Sequence, residues 1–274
     1  MQNEEIKQNV RKGYAKVVKQ GSCCCKPLTH CCGTGSQAKS ISKKIGYSED
    51  DLNSVPEGAN LGLGCGNPIA LASLKPGEIV LDLGSGAGFD AFLSARRVGP
   101  AGKVIGVDMT PEMIEKAQQN AIKGKFTNVE FRLGEIESLP VDDNSIDVII
   151  SNCVINLVPD KAKAFSEAYR VLKPGGRLMV SDIVLIGELS VALKKSVEAY
   201  VGCLAGAVMK TEYLRIIAEA GFKDVQIQGE NPFTIKMLSN DPNAQPILDR
   251  PKVSDEELDS VTEVAMSIKV SAQK

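Results

Sequence analysis

From residue 75 onward the chain alternates between two spacings. Short apolar, β-branched runs, EIVLDLG (78–84), KVIGVDM (103–109), NVEFRL (128–133), IDVIISN (146–152) and GRLMVSD (176–182), are separated by stretches of helical periodicity near 89–98, 111–124 and 159–172. Runs that are apolar throughout suit strands covered on both faces, and strands alternating with helices build a parallel sheet. Pro111 fits a first helical turn, with Thr110 as its cap. After Asp182 a helical stretch runs through Cys203, and a further helix at 211–220 ends at Gly221. Two late strand candidates, 223–229 and 264–271, flank a polar segment and are expected as antiparallel strands on the sheet edge.

Upstream of residue 75 the pattern is less regular. The first twenty residues mix apolar and charged positions as a surface helix does, and residues 21–40, rich in Gly, Ser and Cys, read as a loop. A short helix near Ser48–Asn53 is stopped by Pro56, and NLGLGCGNP (60–68) reads as irregular backbone around Cys65.

Composition narrows the function classes. There are 32 basic against 34 acidic side chains, so no positive field argues for nucleic acid or an anionic membrane. No apolar run is long enough to span a bilayer and the amino terminus has no signal core, which predicts a cytoplasmic protein. In that reducing compartment the 8 cysteines are expected as ligands or redox groups rather than disulfides. Five crowd together as Cys23, Cys24, Cys25, Cys31 and Cys32; Cys65, Cys153 and Cys203 are scattered. The single histidine, His30, leaves the body of the chain without a Ser/His or Cys/His pair.

The strongest local motif follows the first strand: Asp82, Gly84, Ser85, Gly86 and Gly88 in LDLGSGAG. Glycines there let backbone approach a ligand at a helix N-terminus. The spacing is G-x-G-x-G, and Phe89 stands where a dinucleotide fingerprint wants its third glycine, which argues against NAD or FAD. Asp108, closing the second strand beside Met109, is placed to accept ribose hydroxyls; its plainer reading is a charge before the next helix. Asp82 has a plainer reading too, as a cap for the turn. Glu135, Ile136 and Glu137 after the third strand, and Asn152 and Cys153 after the fourth, face the same crevice at the carboxyl ends of the strands.

Taken together, LDLGSGAG, GVDM, GEIESLP and RVLKPGG resemble the Rossmann-like S-adenosylmethionine methyltransferases. The resemblance implies an α/β fold: a seven-stranded, mostly parallel sheet, helices on both faces, the last strand antiparallel. It also implies S-adenosylmethionine as cofactor, with Asp82 and the glycine turn at its methionine end, Asp108 on the ribose, and Ile136 and Glu137 at the adenine. The strings NLGLGCGNP, SNCVINLVPDK, EAYRVLKPGG and GCLAGA are similar, more narrowly, to arsenite methyltransferases. That likeness implies that Cys65, Cys153 and Cys203 handle arsenic(III). The expected organisation is an amino-terminal arm over 1–59, a catalytic domain over 60–230 and a carboxy-terminal extension over 231–274 that completes the sheet.

The chemistry is consistent. Arsenic(III) is soft and prefers thiolates. Its lone pair can attack a sulfonium methyl without a general base. Three thiolates around one arsenic should sit about 3.5–4 Å apart, taking zinc–thiolate bonds as the guide. Methylation oxidises arsenic, so a further round needs a thiol reductant such as glutathione or thioredoxin. The cluster from Cys23 to Cys32 is a candidate redox pair, an arsenic-capturing arm, a zinc site with His30, or an unconstrained loop. The expected partners are arsenite or its thiol conjugates and that reductant, with no nucleic acid and no membrane, on a monomer. Two other functions remain in view: a carbon or nitrogen methyltransferase of the same fold, and a metalloid sensor or chaperone.

Overall fold

The computed structural model describes residues 3–20, 34–189, 204–233, 261 and 263–274. Cys23, Cys24, Cys25, His30, Cys31 and Cys32 lie outside the described residues, as do Cys203, residues 190–202 before it and residues 234–260. The helix expected from just after Asp182 does not start there, since residues 183–185 are strand.

Seven strands form one sheet: β1 (Ile79–Leu83), β2 (Lys103–Asp108), β3 (Val129–Leu133), β4 (Ile146–Asn152), β5 (Leu172–Leu185), β6 (Lys223–Pro232) and β7 (Ala265–Gln273), in the order β3-β2-β1-β4-β5-β7-β6. The pairs among β1 to β5 are parallel, and β7 runs antiparallel to both of its neighbours. Each central strand splits its side chains between two cores, as the two-residue period of a strand requires. Leu81, Ile105, Ile149 and Leu178 enter a cluster with Phe165, Ala168, Tyr213 and Ile217. Val80, Val104, Val148 and Met179 enter another with Ala91, Phe92, Ile114 and Ala117. The helices supplying those faces are α5 (Phe89–Val98) and α6 (Pro111–Gly124) on one side, α7 (Lys161–Val171) and α8 (Lys210–Glu219) on the other.

The amino-terminal part adds α1 (Asn3–Gln20), α2 (Thr34–Lys44), α3 (Glu49–Asn53) and the single turn α4 (Ile69–Ala72). Ser48 caps α3 in a reciprocal box with Asp51. Two further expectations need correcting. Residues 34–40 belong to α2, not to a loop, because Ala38 and Ser42, one turn apart, bury a common face. The second late strand is not at an edge: β7 inserts between β5 and β6, so β6 carries the edge.

Residues 60–68 form neither helix nor strand and lie across the carboxyl end of the sheet. The lie is tight: a Cβ on Gly66 would stand 1.8 Å from Ser181 Oγ. Gly66→Ala should therefore destabilise the protein by about 1–3 kcal/mol through overpacking, and Ser181→Ala in the same chain should recover part of the loss. Urea unfolding midpoints check this; an unchanged midpoint for Gly66→Ala would mean the loop is not pressed against β5.

Candidate functional site

A crevice opens at the carboxyl ends of β1, β2, β3 and β4. Asp82, Gly84, Ser85, Gly86, Asp108, Met109, Ile136, Glu137, Asn152, Cys65 and Cys153 all line it. One crevice thus gathers every described residue singled out by the sequence reading as a cofactor or arsenic contact.

The glycine turn works differently from the expectation. Gly84, Gly86 and Gly88 have φ of 67°, 52° and 95°, left-handed values that favour glycine. Their N–H groups are already engaged. Gly84 and Ser85 donate to Val107 O, Gly88 donates to Ser85 O, and Gly86 donates to Asp108 Oδ2 at 3.0 Å. The turn therefore offers clearance, not a row of donors for a phosphate. Thr110 N–H donates to the other Asp108 oxygen at 2.8 Å, which fixes the carboxylate at the strand end.

Acceptors dominate the walls. Asp82 is 3% exposed, and its Oδ2 has no hydrogen-bond partner; neither has the buried Ser85 Oγ. Burial, reinforced by the charges of Asp90 and Asp108, pushes the Asp82 carboxyl well above the usual range. Burial raises Asp108 as well, against the two N–H groups that favour its charged form. Asp90, in the first turn of α5, accepts from Tyr47 Oη at 2.6 Å and from Asn152 Nδ2 at 3.1 Å. Burial still lifts it to about 6.

Helix α1 forms the roof. Val10 and Tyr14 line the crevice. Lys7 pairs with Glu135 at 2.6 Å and Glu137 at 2.9 Å, and Arg11 also pairs with Glu135. Burial works against the Lys7 charge, yet its bonds to the two glutamates outweigh it and raise its pKa. Glu137, expected at the adenine, is engaged by Lys7 and by the Asp160 N–H at 3.3 Å.

The two described thiols meet at the far side. Cys65 and Cys153 are both buried, and their sulfurs and a carboxylate oxygen of Asp182 lie within 4.8 Å of one another. Asn152 holds the Cys65 loop in place. Its Oδ1 accepts from Cys65 N–H at 3.1 Å and Gly66 N–H at 3.3 Å, while Nδ2 donates to Gly66 O at 2.8 Å and Tyr47 Oη at 3.0 Å. The sequence reading missed Tyr47, Asp90, Asp182 and the α1 residues. Asp90, two residues beyond the last glycine of the turn, carried a usable positional signal; Tyr47 and Lys7 carried none.

Asp90 supplies a pH test. It ionises near its ordinary 3.8 when unfolded but at about 6 when folded. Between those values the folded chain binds more protons, so this contribution to stability is present at low pH and is lost as pH rises through 6. Asp90→Asn lacks the effect. The parent's unfolding free energy relative to that variant should fall by on the order of 2–3 kcal/mol from pH 4 to 6.5, measured by urea unfolding across the range.

Comparison with known proteins completes the description. A family model described as a methyltransferase domain matches residues 74–221. An arsenite methyltransferase of Halobacterium salinarum is 49% identical over 84% of this chain and 61% of its own. The human arsenite methyltransferase is 34% identical over 86% of this chain and 63% of its own. The chain thus spans about three fifths of these curated relatives. A crystal structure of an arsenic(III) S-adenosylmethionine methyltransferase from Chlamydomonas reinhardtii superposes with a TM-score of 0.64 at 32% identity, over 87% of this chain and 73% of that one.

Proposed function

The chain belongs to the arsenic(III) S-adenosylmethionine methyltransferase family, and from that premise we propose that it transfers methyl groups from S-adenosylmethionine to trivalent arsenic bound by its own thiols. The observation that carries this reading is the Cys65–Cys153 pair, two buried cysteines whose sulfurs lie within 4.8 Å inside the crevice.

The crevice suits the cofactor. The unpartnered Asp82 Oδ2 and Ser85 Oγ, with the glycine N–H groups already engaged, favour a cationic ligand over a phosphate. When bound, S-adenosylmethionine supplies an electrophilic methyl group on a sulfonium centre. Asp82 and the glycine turn face its methionine end. Asp108, held by the N–H groups of Gly86 and Thr110 and by the Thr110 side chain, would accept the ribose hydroxyls. Met109, Ile136 and Glu137, which line the crevice, would enclose the adenine. Helix α1 covers the crevice and limits water.

Cys65, Cys153 and Cys203 hold the arsenic. Leu204, one residue after Cys203, is buried in the same cluster as Cys65 and Cys153, which supports counting Cys203 with them. Bound to sulfur, arsenic retains a lone pair and loses no proton on methylation, so the site requires no general base. The protein's contribution is alignment, which is worth about 7–11 kcal/mol when the reacting atoms are held at near-attack distance. Cys23, Cys24, Cys25, Cys31 and Cys32 capture arsenic or, together with glutathione or thioredoxin, supply the electrons that return it to the trivalent state. The enzyme works as a cytoplasmic monomer, with catalysis over 60–230, an arm over 1–59 and an extension over 231–274. Among the described residues no helix is long and apolar enough to cross a membrane.

Cys65→Ser and Cys153→Ser should each abolish arsenite methylation, followed by arsenic speciation, while S-adenosylhomocysteine still binds. Full turnover in either would remove that thiol from the acceptor site. Asp108→Ala should weaken S-adenosylhomocysteine by about 2–4 kcal/mol through loss of charge-assisted ribose bonds; calorimetry with unchanged affinity would refute the ribose assignment.

A further inference from the structure

Behind the two thiols stands a third ligand-bearing group that methyl transfer leaves without a task. Asp182, on β5, is 1% exposed. Its Oδ1 accepts from Asn156 Nδ2 at 2.9 Å and from Ile183 N–H at 3.0 Å, and Tyr213 Oη donates to Oδ2 at 3.1 Å. These bonds, with a further one from the Ile155 backbone, fix the carboxylate. A carboxylate oxygen and the sulfurs of Cys65 and Cys153 lie within 4.8 Å of one another, all buried.

We propose that Cys65, Cys153 and Asp182 form a site for a divalent thiophilic cation of the zinc and cadmium class, which competes with arsenic for the thiols. Zinc takes cysteine sulfur at about 2.3 Å and carboxylate oxygen at about 2.0–2.2 Å in a tetrahedron, which places such ligand atoms about 3.5–3.8 Å apart. Contraction by roughly an ångström, within the reach of side-chain rotation, brings the present cluster to that geometry. Cys65 and Cys153 line the crevice and provide the way in. Three protein ligands leave a fourth position free, as in open zinc sites. The carboxylate separates the two occupants: arsenic(III) is satisfied by soft thiolates, whereas a divalent cation gains from the harder oxygen. The thiols give up their protons to the medium on binding. The inference rests on this geometry and does not require the methylation reading.

The test uses the full chain with Cys23, Cys24, Cys25, Cys31 and Cys32 replaced by serine, so that their thiols do not compete. Titration with cadmium chloride, followed by thiolate-to-cadmium absorption, should show one ion per chain. Cys65→Ser should abolish that site. Asp182→Asn should weaken cadmium by about tenfold or more while arsenite affinity stays within about threefold of the parent. No cadmium site, or an Asp182→Asn variant that binds cadmium as the parent does, overturns the proposal. If Asp182→Asn loses both ions the pocket has collapsed, and competition in the parent decides. Displacement of cadmium by arsenite, mole for mole, supports the shared site; simultaneous binding of both overturns it. A chain that binds cadmium here yet never methylates arsenite would refute the proposed function and leave this inference standing.

Discussion

The arrangement of the site depends on one side-chain amide. Asn152 ends β4, and its carboxamide ties together the Cys65 loop, Tyr47 and Asp90. The loop from 60 to 68 has no secondary structure of its own to hold it, so its position rests on these bonds and on that of Ser267 Oγ to Cys65 O at 2.8 Å. Only an amide can serve, since the contacts need an acceptor and a donor on the same short stem. The glycines beside Cys65 follow from the same constraint. A Cβ on Gly64 would meet the Asn152 amide at 2.8 Å, and one on Gly66 would meet Ser181. Cys65 is flanked by glycine because the chain must press against two strand ends while it delivers a thiol between them.

Charge imposes the second constraint. Asp90 and Asp108 sit close enough to perturb Asp82, in a region where burial disfavours the ionised form of all three. Lys7 and Arg11 of α1 pair with Glu135 and Glu137 at one end of the crevice, and among the described residues their ion pairs go to glutamates, not to the three aspartates. The crevice is thus compensated at one end and short of positive charge at the other. A ligand with a neutral heterocycle at one end and a cationic centre at the other matches that gradient. The amino-terminal helix sets it, and so belongs to the site.

Most of the sheet was legible because its signal is local. A buried parallel strand must be apolar on both faces, and β1, β2, β4 and the later part of β5 said so. The edge strand β3 instead alternates its apolar residues with Glu130 and Arg132. The site was legible where residues sit at strand ends, whose destination the topology fixes. It was illegible where partners come from distant segments. Tyr47 meets Asp90 across 43 positions and Lys7 meets Glu135 across 128, and nothing in their own neighbourhoods announces either. Helix α2 was missed because its residues are weak helix formers, and the burial of Ala38 and Ser42 that stabilises it is a tertiary event.

The position of Cys153 adds a separate argument about its thiol. Its N–H donates to Ser181 O at 2.7 Å, continuing the β4–β5 pairing one step past the strand. There the backbone turns left-handed, with φ of 60°. A residue with a Cβ in that conformation costs about 1–2 kcal/mol relative to glycine, and such strain persists where the side chain has a task. Glycine would relieve it, and asparagine would tolerate it better. Cys153 is packed in the cluster that holds Cys65 and Leu204, but burial alone does not call for a side chain in a strained conformation. The side chain supplies a reason: it brings a second sulfur to within 4.8 Å of Cys65. Glycines that give way around one thiol and a strained turn that presents the other are two local solutions to one requirement, a pair of sulfurs at the mouth of the β1–β4 switch point.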